Sequence, residues 1–269
     1  MWKNIWNQMY EKMKMENKIQ MFLLIVIFSV SLVICTYKWV EYSVDYRESK
    51  QIRNEILNIY EDTKDESREV QEKTRIDKLK ELQQINSDII ALIEIEGTNI
   101  NYPVVQTDNN DYYMTHNYKK QKSKDGAIFL DKDYDWNKPS KNLLIYGHNN
   151  IGSKEMFVEL VKYKNEEFYK KHKVIKLTTA EEKSEFEIIS IFLSRVYYNH
   201  ERNVFRYYYF IDAKNEKEFN SYVNNVKKTS LYSIKTTAEY EDQLMTLSTC
   251  EYSQVNGRLV VVARKVMSD

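Results

Sequence analysis

The sequence predicts a mainly β chain, a closed or nearly closed β-barrel with inserted helices, preceded by a transmembrane helix and a helical stalk. Three observations predict it. An apolar run, Ile19 to Val40, lies near the N-terminus. A charged stretch without glycine or proline follows, with aliphatic residues at helical spacing. From Ser87 onward the texture changes to short β-rich runs separated by turn residues, which favours a barrel over a parallel α/β sheet.

The expected organisation is a cytoplasmic tail at 1–18, an anchor at 19–40, a stalk at 41–86 and a barrel at 87–269. The tail carries Lys3, Lys12, Lys14 and Lys18. The uncharged part of the apolar run, Ile19 to Tyr37, is close to the roughly 20 residues that cross a hydrocarbon core, and Tyr37 and Trp39 suit the interface. A cleaved signal peptide is the alternative. No small-x-small site follows the run, and Leu32-Val33-Ile34-Cys35 lacks the small residue expected before a lipidated cysteine, so an uncleaved anchor is expected. Arg47, Lys50 and Arg53 follow the run almost as densely as lysines precede it. The short N-terminal tail nevertheless places the N-terminus inside and the body outside, as a single-pass protein of the cell membrane.

In the charged stretch, Ile52, Ile56, Ile59 and Tyr60, then Leu79, Leu82 and Ile85, mark two helices, with Asp62 to Glu72 as the break. A solvated stalk is the favoured reading of the pair, helices packed on the domain the other. Strands are expected at Ile89 to Ile95, Ile100 to Val105, Ala127 to Leu130, Asn142 to Tyr146, Val174 to Thr178 and Glu185 to Val196. Two more, Gln243 to Thr249 and Arg258 to Ala263, are joined by a connection containing Asn256-Gly257 and form a closing hairpin. Gly97, Asp108 to Asp111, Lys124 to Gly126 and Lys138 to Ser140 are intervening turn signals. Helical periods occur at Lys154 to Tyr163, with Ser153 as N-cap, at Glu166 to His172 and at Asn215 to Lys228.

Composition excludes several functions. Forty basic residues balance forty acidic ones, which argues against a nucleic-acid partner. Five glycines and two prolines are few, while 22 tyrosines and 10 phenylalanines supply core material, so the body is globular. Two cysteines build no disulfide scaffold, and bridging Cys35 to Cys250 would require them to meet at the membrane edge. No metal-ligand spacing, phosphate loop or serine-hydrolase elbow is present, and no cofactor is implied.

Cys250 is then the candidate nucleophile. A lone cysteine at a strand end is more often a small buried hydrophobe, but its neighbours shift the balance. In the simplest register Cys250 and Arg258 oppose each other, their Cβ atoms roughly 4.5 to 5.5 Å apart. Leu244, Thr246, Ser248 and Cys250 share one face with Arg258, Val260 and Val262. That hydroxyl-rich face reads as a groove wall rather than a core. Of four histidines, His148 follows a buried-type strand and Gly147 at a sheet rim, an address shared by catalytic and purely structural side chains. His116, His172 and His200 lie in polar contexts that read as surface. A thiol needs a proton acceptor, and a developing oxyanion needs positive potential; a histidine and an arginine supply both. With ordinary pKa values of about 8.5 and 6.5, the thiolate–imidazolium pair is only about 1% of the neutral pair, so a slow enzyme is expected. Arg258 favours the thiolate but disfavours the imidazolium, and so does not enlarge that fraction much.

The motifs TLSTC at 246–250, GRLVVVAR at 257–264 and NLLIYGHN at 142–149, with INYPVVQTDNNDYYMTHNY at 100–118 and GAIFLD at 126–131, resemble the class B sortases of Gram-positive bacteria. The resemblance runs from about Ile85 to the C-terminus. It implies an eight-stranded sortase barrel with an N-terminal helical addition and a helix, Ala213 to Lys228, before the penultimate strand. It implies a cysteine transpeptidase that cleaves an LPXTG- or NPQTN-like sorting signal of a surface protein after threonine. A thioacyl intermediate then passes to an amine of peptidoglycan or lipid II. Cys250 would be the nucleophile, His148 the general acid/base and Arg258 the group that positions substrate or stabilises the oxyanion, with Asn110, Met114 and Ser248 lining the signal groove. The connection between Cys250 and Arg258 is short for the class, and Val196 to Tyr209 is unusually tyrosine-rich. A pilin-polymerising enzyme of the same fold and an inert membrane-tethered peptide-binding module are the competing readings.

Overall fold

The structure, a computed structural model, describes residues 2–61, 68–150 and 152–266. The described part of the N-terminal unit, which ends at Arg47, belongs to α1 (Trp2–Glu61) and contains a stretch long and apolar enough to cross a membrane, its large apolar side chains exposed. The second unit, Glu48–Asp269, is the barrel and its helices. Of the expected break between the first two helices, residues 62–67 lie outside the described residues; α2 occupies Arg68–Ile85.

Eight strands close the barrel: β1 (Ile89–Glu94), β2 (Asn101–Val105), β3 (Phe129–Leu130), β4 (Asn142–Tyr146), β5 (Val174–Thr178), β6 (Lys183–Arg195), β7 (Leu244–Cys250) and β8 (Gly257–Val266). Their order is β1-β2-β3-β4-β7-β8-β6-β5, with β5 pairing back onto β1. Two pairings are parallel, β2 with β3 and β4 with β7. The others are antiparallel, and closure leaves no free sheet edge among the described residues.

Alternation along the strands builds two cores. Met245 and Leu247 of β7 and Leu259, Val261 and Ala263 of β8 belong to the main core. Leu244, Val260 and Val262, from the opposite face, join a second core beneath α4 (Glu216–Thr229). That helix is capped by the Asn215 side chain, which accepts from the Glu218 N–H at 3.0 Å. It lays Phe219, Tyr222, Val223 and Val226, an i, i+3, i+4, i+7 stripe, on the sheet.

The hydroxyl-rich face of β7 is therefore a packed interior along most of its length, not a groove wall. Thr246 is fully buried: its Oγ1 donates to Asn142 Oδ1 at 2.9 Å and accepts from Tyr222 at 3.1 Å. Tyrosine hydroxyls beneath α4 let polar side chains enter a core without unmet hydrogen bonds.

The charged segment expected as a solvated stalk is buried along its aliphatic stripe from Glu48 onward. Ile52, Ile56, Leu79 and Leu82 are in the main core, and the Ser49 and Ser123 hydroxyls share a buried hydrogen bond of 2.9 Å. Side chains with charges on one face and a narrow apolar stripe on the other cover a barrel as readily as they stand in water.

The helix expected at Lys154 to Tyr163 is a 3-10 segment at Val158–Lys164, and Ser153 does not cap it. Met156 adopts a left-handed conformation, φ 58°, which a right-handed helix excludes, so the helical turn begins only after it. The Ser153 hydroxyl instead accepts from the Glu155 N–H at 3.1 Å. After it, α3 (Glu166–Lys171) is capped by Asn165, whose side chain accepts from the Glu167 N–H at 2.8 Å.

Candidate active site

The site grows out of the parallel pairing of β4 and β7. Tyr146 stands beside Ser248 at the end of the ladder. Two residues further along each chain come His148 and Cys250, so side-by-side strand ends about 4.8 Å apart carry both side chains to the same face. Bonds beyond the ladder fasten the ends. Gly147 N–H donates to Ser248 O at 3.2 Å, Thr249 Oγ1 to Gly147 O at 2.8 Å, and Asn149 Nδ2 to Cys250 O at 2.8 Å. The antiparallel pairing of β7 with β8 ends on Cys250 opposite Arg258, the register expected from the sequence.

Gly147 makes this approach possible through size alone, not through a turn. A Cβ there would lie 2.4 Å from Ile128 Cδ1 and 2.6 Å from Phe157 Cδ2. Gly126 serves from the other side: at φ 60°, with Tyr113 O 2.4 Å from where its Cβ would be, it lets the 113–114 backbone close onto His148. His148 Nε2 then bonds the Met114 carbonyl at 2.7 Å. A carbonyl only accepts, so Nε2 carries the proton and, in the neutral ring, Nδ1 holds the lone pair. Phe157 N–H donates to the His148 carbonyl at 2.9 Å, which fixes the backbone behind the ring. Arg258 donates from one terminal nitrogen to Gly257 O at 2.9 Å and Asn256 O at 3.3 Å.

These groups line one cleft of about 450 Å³, to which Asn110, Met114, His148, Ser248, Cys250 and Arg258 all contribute. The three groove residues play different parts. Met114 is exposed on the rim and lends its carbonyl to His148. Asn110 is tied into the wall: its Nδ2 donates to Asp131 Oδ2 at 2.9 Å and its Oδ1 accepts from Lys132 N–H at 2.8 Å. Ser248 is nearly fully buried, its hydroxyl 2.7 Å from that of Tyr207. Burial pushes the Tyr207 phenol up to about 12, opposed by the Ser248 bond and the Arg258 charge, so the pair is a neutral hydrogen bond at the cleft floor.

Sequence reasoning had not singled out Tyr146, Val196, Tyr207 and Tyr208, which also line the cleft. The dense tyrosine run at 197–209 was the available signal, although only the fold tells which of those rings turn inward. His116, His172 and His200 lie outside the cleft lining, stacked on Tyr112, tilted against Phe168 and stacked on Tyr198 respectively.

The Sortase domain family matches residues 93–266, which include every strand but the first four residues of β1. The chain belongs to the class B sortases. Its sequence is 31% identical to Sortase B of Staphylococcus aureus over 185 residues, 68% of this chain and 72% of that one. It is 32% identical to Sortase B of Listeria monocytogenes over 192 residues, 71% of this chain and 74% of that one. Among solved structures, a Staphylococcus aureus sortase B–substrate complex superposes with a TM-score of 0.70 at 25% identity, covering 84% of this chain and all of that one. The eight-stranded closed barrel is the sortase barrel, and sortases are cysteine transpeptidases.

Proposed function

We propose that this chain is a membrane-anchored sortase that joins secreted surface proteins to a cell-wall amine, with its N-terminus inside and its barrel outside the cell. Its substrate is a C-terminal sorting signal of the LPXTG or NPQTN kind, cleaved after threonine. The observation that carries the proposal is the convergence of Cys250, His148 and Arg258 on one cleft.

In the first half-reaction the Cys250 thiolate attacks the threonine carbonyl carbon. The carbonyl π electrons move to oxygen, and the oxyanion faces the Arg258 guanidinium. The C–N bond then breaks, and the departing amine takes a proton from the His148 imidazolium. A thioester remains. In the second half-reaction an acceptor amine attacks the thioester carbon, His148 takes its proton, and the C–S bond breaks to release the thiolate and a new amide. The Met114 carbonyl keeps Nε2 protonated throughout, so Nδ1 is the atom that exchanges the proton. Asn110, Met114 and Ser248 shape the groove for the signal, and α1 supplies the anchor.

Incubation of the purified chain with fluorogenic sorting peptides, with and without an amine, tests this. Cleavage is expected to pass through an acyl-enzyme lighter by one water, about 18 Da, than enzyme plus the free carboxylic-acid fragment, trapped on Cys250 and absent in Cys250→Ala. Unchanged cleavage in Cys250→Ala would sink the assignment.

A further inference from the structure

We propose that Arg53, on the last turns of α1, is a positioning residue for His148, acting through Glu155 and Tyr102; this rests on the role assigned to His148 above. Arg53 side chain and Glu155 form an ion pair largely removed from solvent, with side-chain exposures of 14% and 8%. Between them stands the Tyr102 hydroxyl, inside the main core. It accepts from an Arg53 terminal nitrogen at 2.8 Å, accepts from the Met156 N–H at 2.8 Å and donates to Glu155 Oε2 at 3.1 Å. One donor and two acceptors are all that a hydroxyl has, so its bonding capacity is fully used. The guanidinium also sits 5.1 Å from the centre of the Tyr102 ring.

The residue that this network grips is Met156, buried and left-handed at φ 58°. A methionine holds that conformation only where its surroundings impose it. The Met156 N–H is pinned by Tyr102, and the side chain before it, Glu155, is pinned by Arg53. The residue after it is Phe157, whose N–H holds the His148 carbonyl at 2.9 Å and whose ring packs where Gly147 has no side chain. Arg53, Glu155, Met156, Phe157 and His148 thus form a continuous chain of contacts. A second strap runs parallel to it. Ser49 bonds Ser123, whose hydroxyl accepts from the Asp125 N–H at 3.3 Å, and Asn150 Nδ2 donates to Asp125 Oδ1 at 2.9 Å. This strap leads to Gly126, where an added Cβ would lie 3.1 Å from the His148 ring. The helix that carries the apolar span therefore ends by bracing both loops that hold the general acid/base.

The brace predicts a catalytic defect separable from loss of fold. Full-length chain in detergent is assayed with a fluorogenic sorting peptide that the wild type cleaves. In parallel, the iodoacetamide alkylation rate of Cys250 is followed from pH 5 to 9 by peptide mass spectrometry, which resolves Cys250 from Cys35. Tyr102→Phe removes only the hydroxyl, Arg53→Met removes the charge, and Arg53→Lys keeps the charge without the planar fork. Expected is a fall in kcat of roughly tenfold or more for Tyr102→Phe and Arg53→Met, with KM changed by no more than about twofold. Arg53→Lys should recover part of that loss. The alkylation profile of both strong variants should move toward that of His148→Ala. Normal kcat per folded molecule, with a wild-type alkylation profile, would show a role in folding alone and overturn the brace. If His148→Ala itself leaves the alkylation profile and cleavage unchanged, the role of His148 falls and the brace with it. If His148→Ala alters both while the Arg53 and Tyr102 variants alter neither, the brace alone falls.

Discussion

A single methyl group added at Gly147 tests how tightly the site depends on the barrel. In Gly147→Ala the new carbon would stand 2.4 Å from Ile128 Cδ1 and 2.6 and 2.7 Å from two carbons of the Phe157 ring. Carbon atoms settle at about 3.5 to 4.0 Å, so these neighbours must retreat by about 1 Å. Neither has room to do so, because Ile128 and Phe157 are both fully buried. The backbone cannot yield freely either, since Gly147 is bonded through its N–H to Ser248 and through its carbonyl to Thr249. Overpacking of this kind costs about 1–3 kcal/mol. In a domain of this size each kcal/mol lowers Tm by about 2–4 °C. Activity should suffer more than stability. Phe157 holds the carbonyl of His148, the proposed general acid/base, and a displacement of about 1 Å in a group with that role can cost roughly a hundredfold in rate. Thermal unfolding by circular dichroism measures the first effect, and peptide cleavage per folded molecule measures the second. A variant with Tm within about 1 °C and kcat within about twofold of wild type would refute the view that close packing at Gly147 sets the position of His148.

Three further outcomes follow from the same structure. Thr246→Val should destabilise by about 1–3 kcal/mol in denaturant unfolding, because Asn142 Oδ1 and the Tyr222 hydroxyl each lose a buried partner; an unchanged midpoint would mean that these hydroxyls do not hold the second core together. Ile56→Ala and Leu82→Ala should each cost about 2–5 kcal/mol, since both side chains are fully buried, whereas a freely solvated stalk would lose almost nothing. Although burial opposes it, the Lys164 ammonium and the Ser253 hydroxyl and N–H hold the Glu251 carboxyl below its ordinary range. A depressed folded-state pKa adds stability above the unfolded value and loses it as pH falls through the folded one. Glu251→Gln should therefore be less stable than wild type at pH 7, with the gap closing below the ordinary carboxylate range; a gap constant with pH in thermal melts would contradict this.

Local patterns are where the sequence was most legible. Asn142 to Tyr146 and Val174 to Thr178 are strands at the expected boundaries, and the helical period at Asn215 to Lys228 is α4, with Asn215 as its cap. The Cys250–Arg258 opposition was legible as well, since a hairpin leaves few registers that keep β8 apolar residues on the right face. What failed were inferences from polarity alone. Charge along residues 48–86 concealed a core stripe, and Ser and Thr on β7 concealed a second core, because hydroxyls become tolerable inside only when α4 and the tyrosine run bring partners to them. The turn at Met156 was beyond local reading, since the partner that holds its N–H is Tyr102, more than 50 positions earlier.

The juxtaposition of His148 and Cys250 belongs to the same class of long-range information. Nothing in either motif states that strands a hundred residues apart are parallel neighbours; each could have ended at a different rim of the barrel. The decisive fact is the pairing of Tyr146 with Ser248, because once that register is set, identical two-residue extensions deliver both side chains to one face. A parallel pair also explains why the flanking residues are so constrained. Antiparallel neighbours can be tied by a short turn, but these two ends are joined by no nearby connection, so the bonds from Gly147, Asn149 and Thr249 must do what a turn would otherwise do. Asn149 is the informative member. Its side chain reaches across to the Cys250 carbonyl, and its own carbonyl accepts from the Tyr252 hydroxyl. The residue after the histidine thereby holds the Cys250 carbonyl on one side of Glu251 and the Tyr252 side chain on the other, and Cys250 is held at the cleft by its parallel neighbour as well as by its own hairpin.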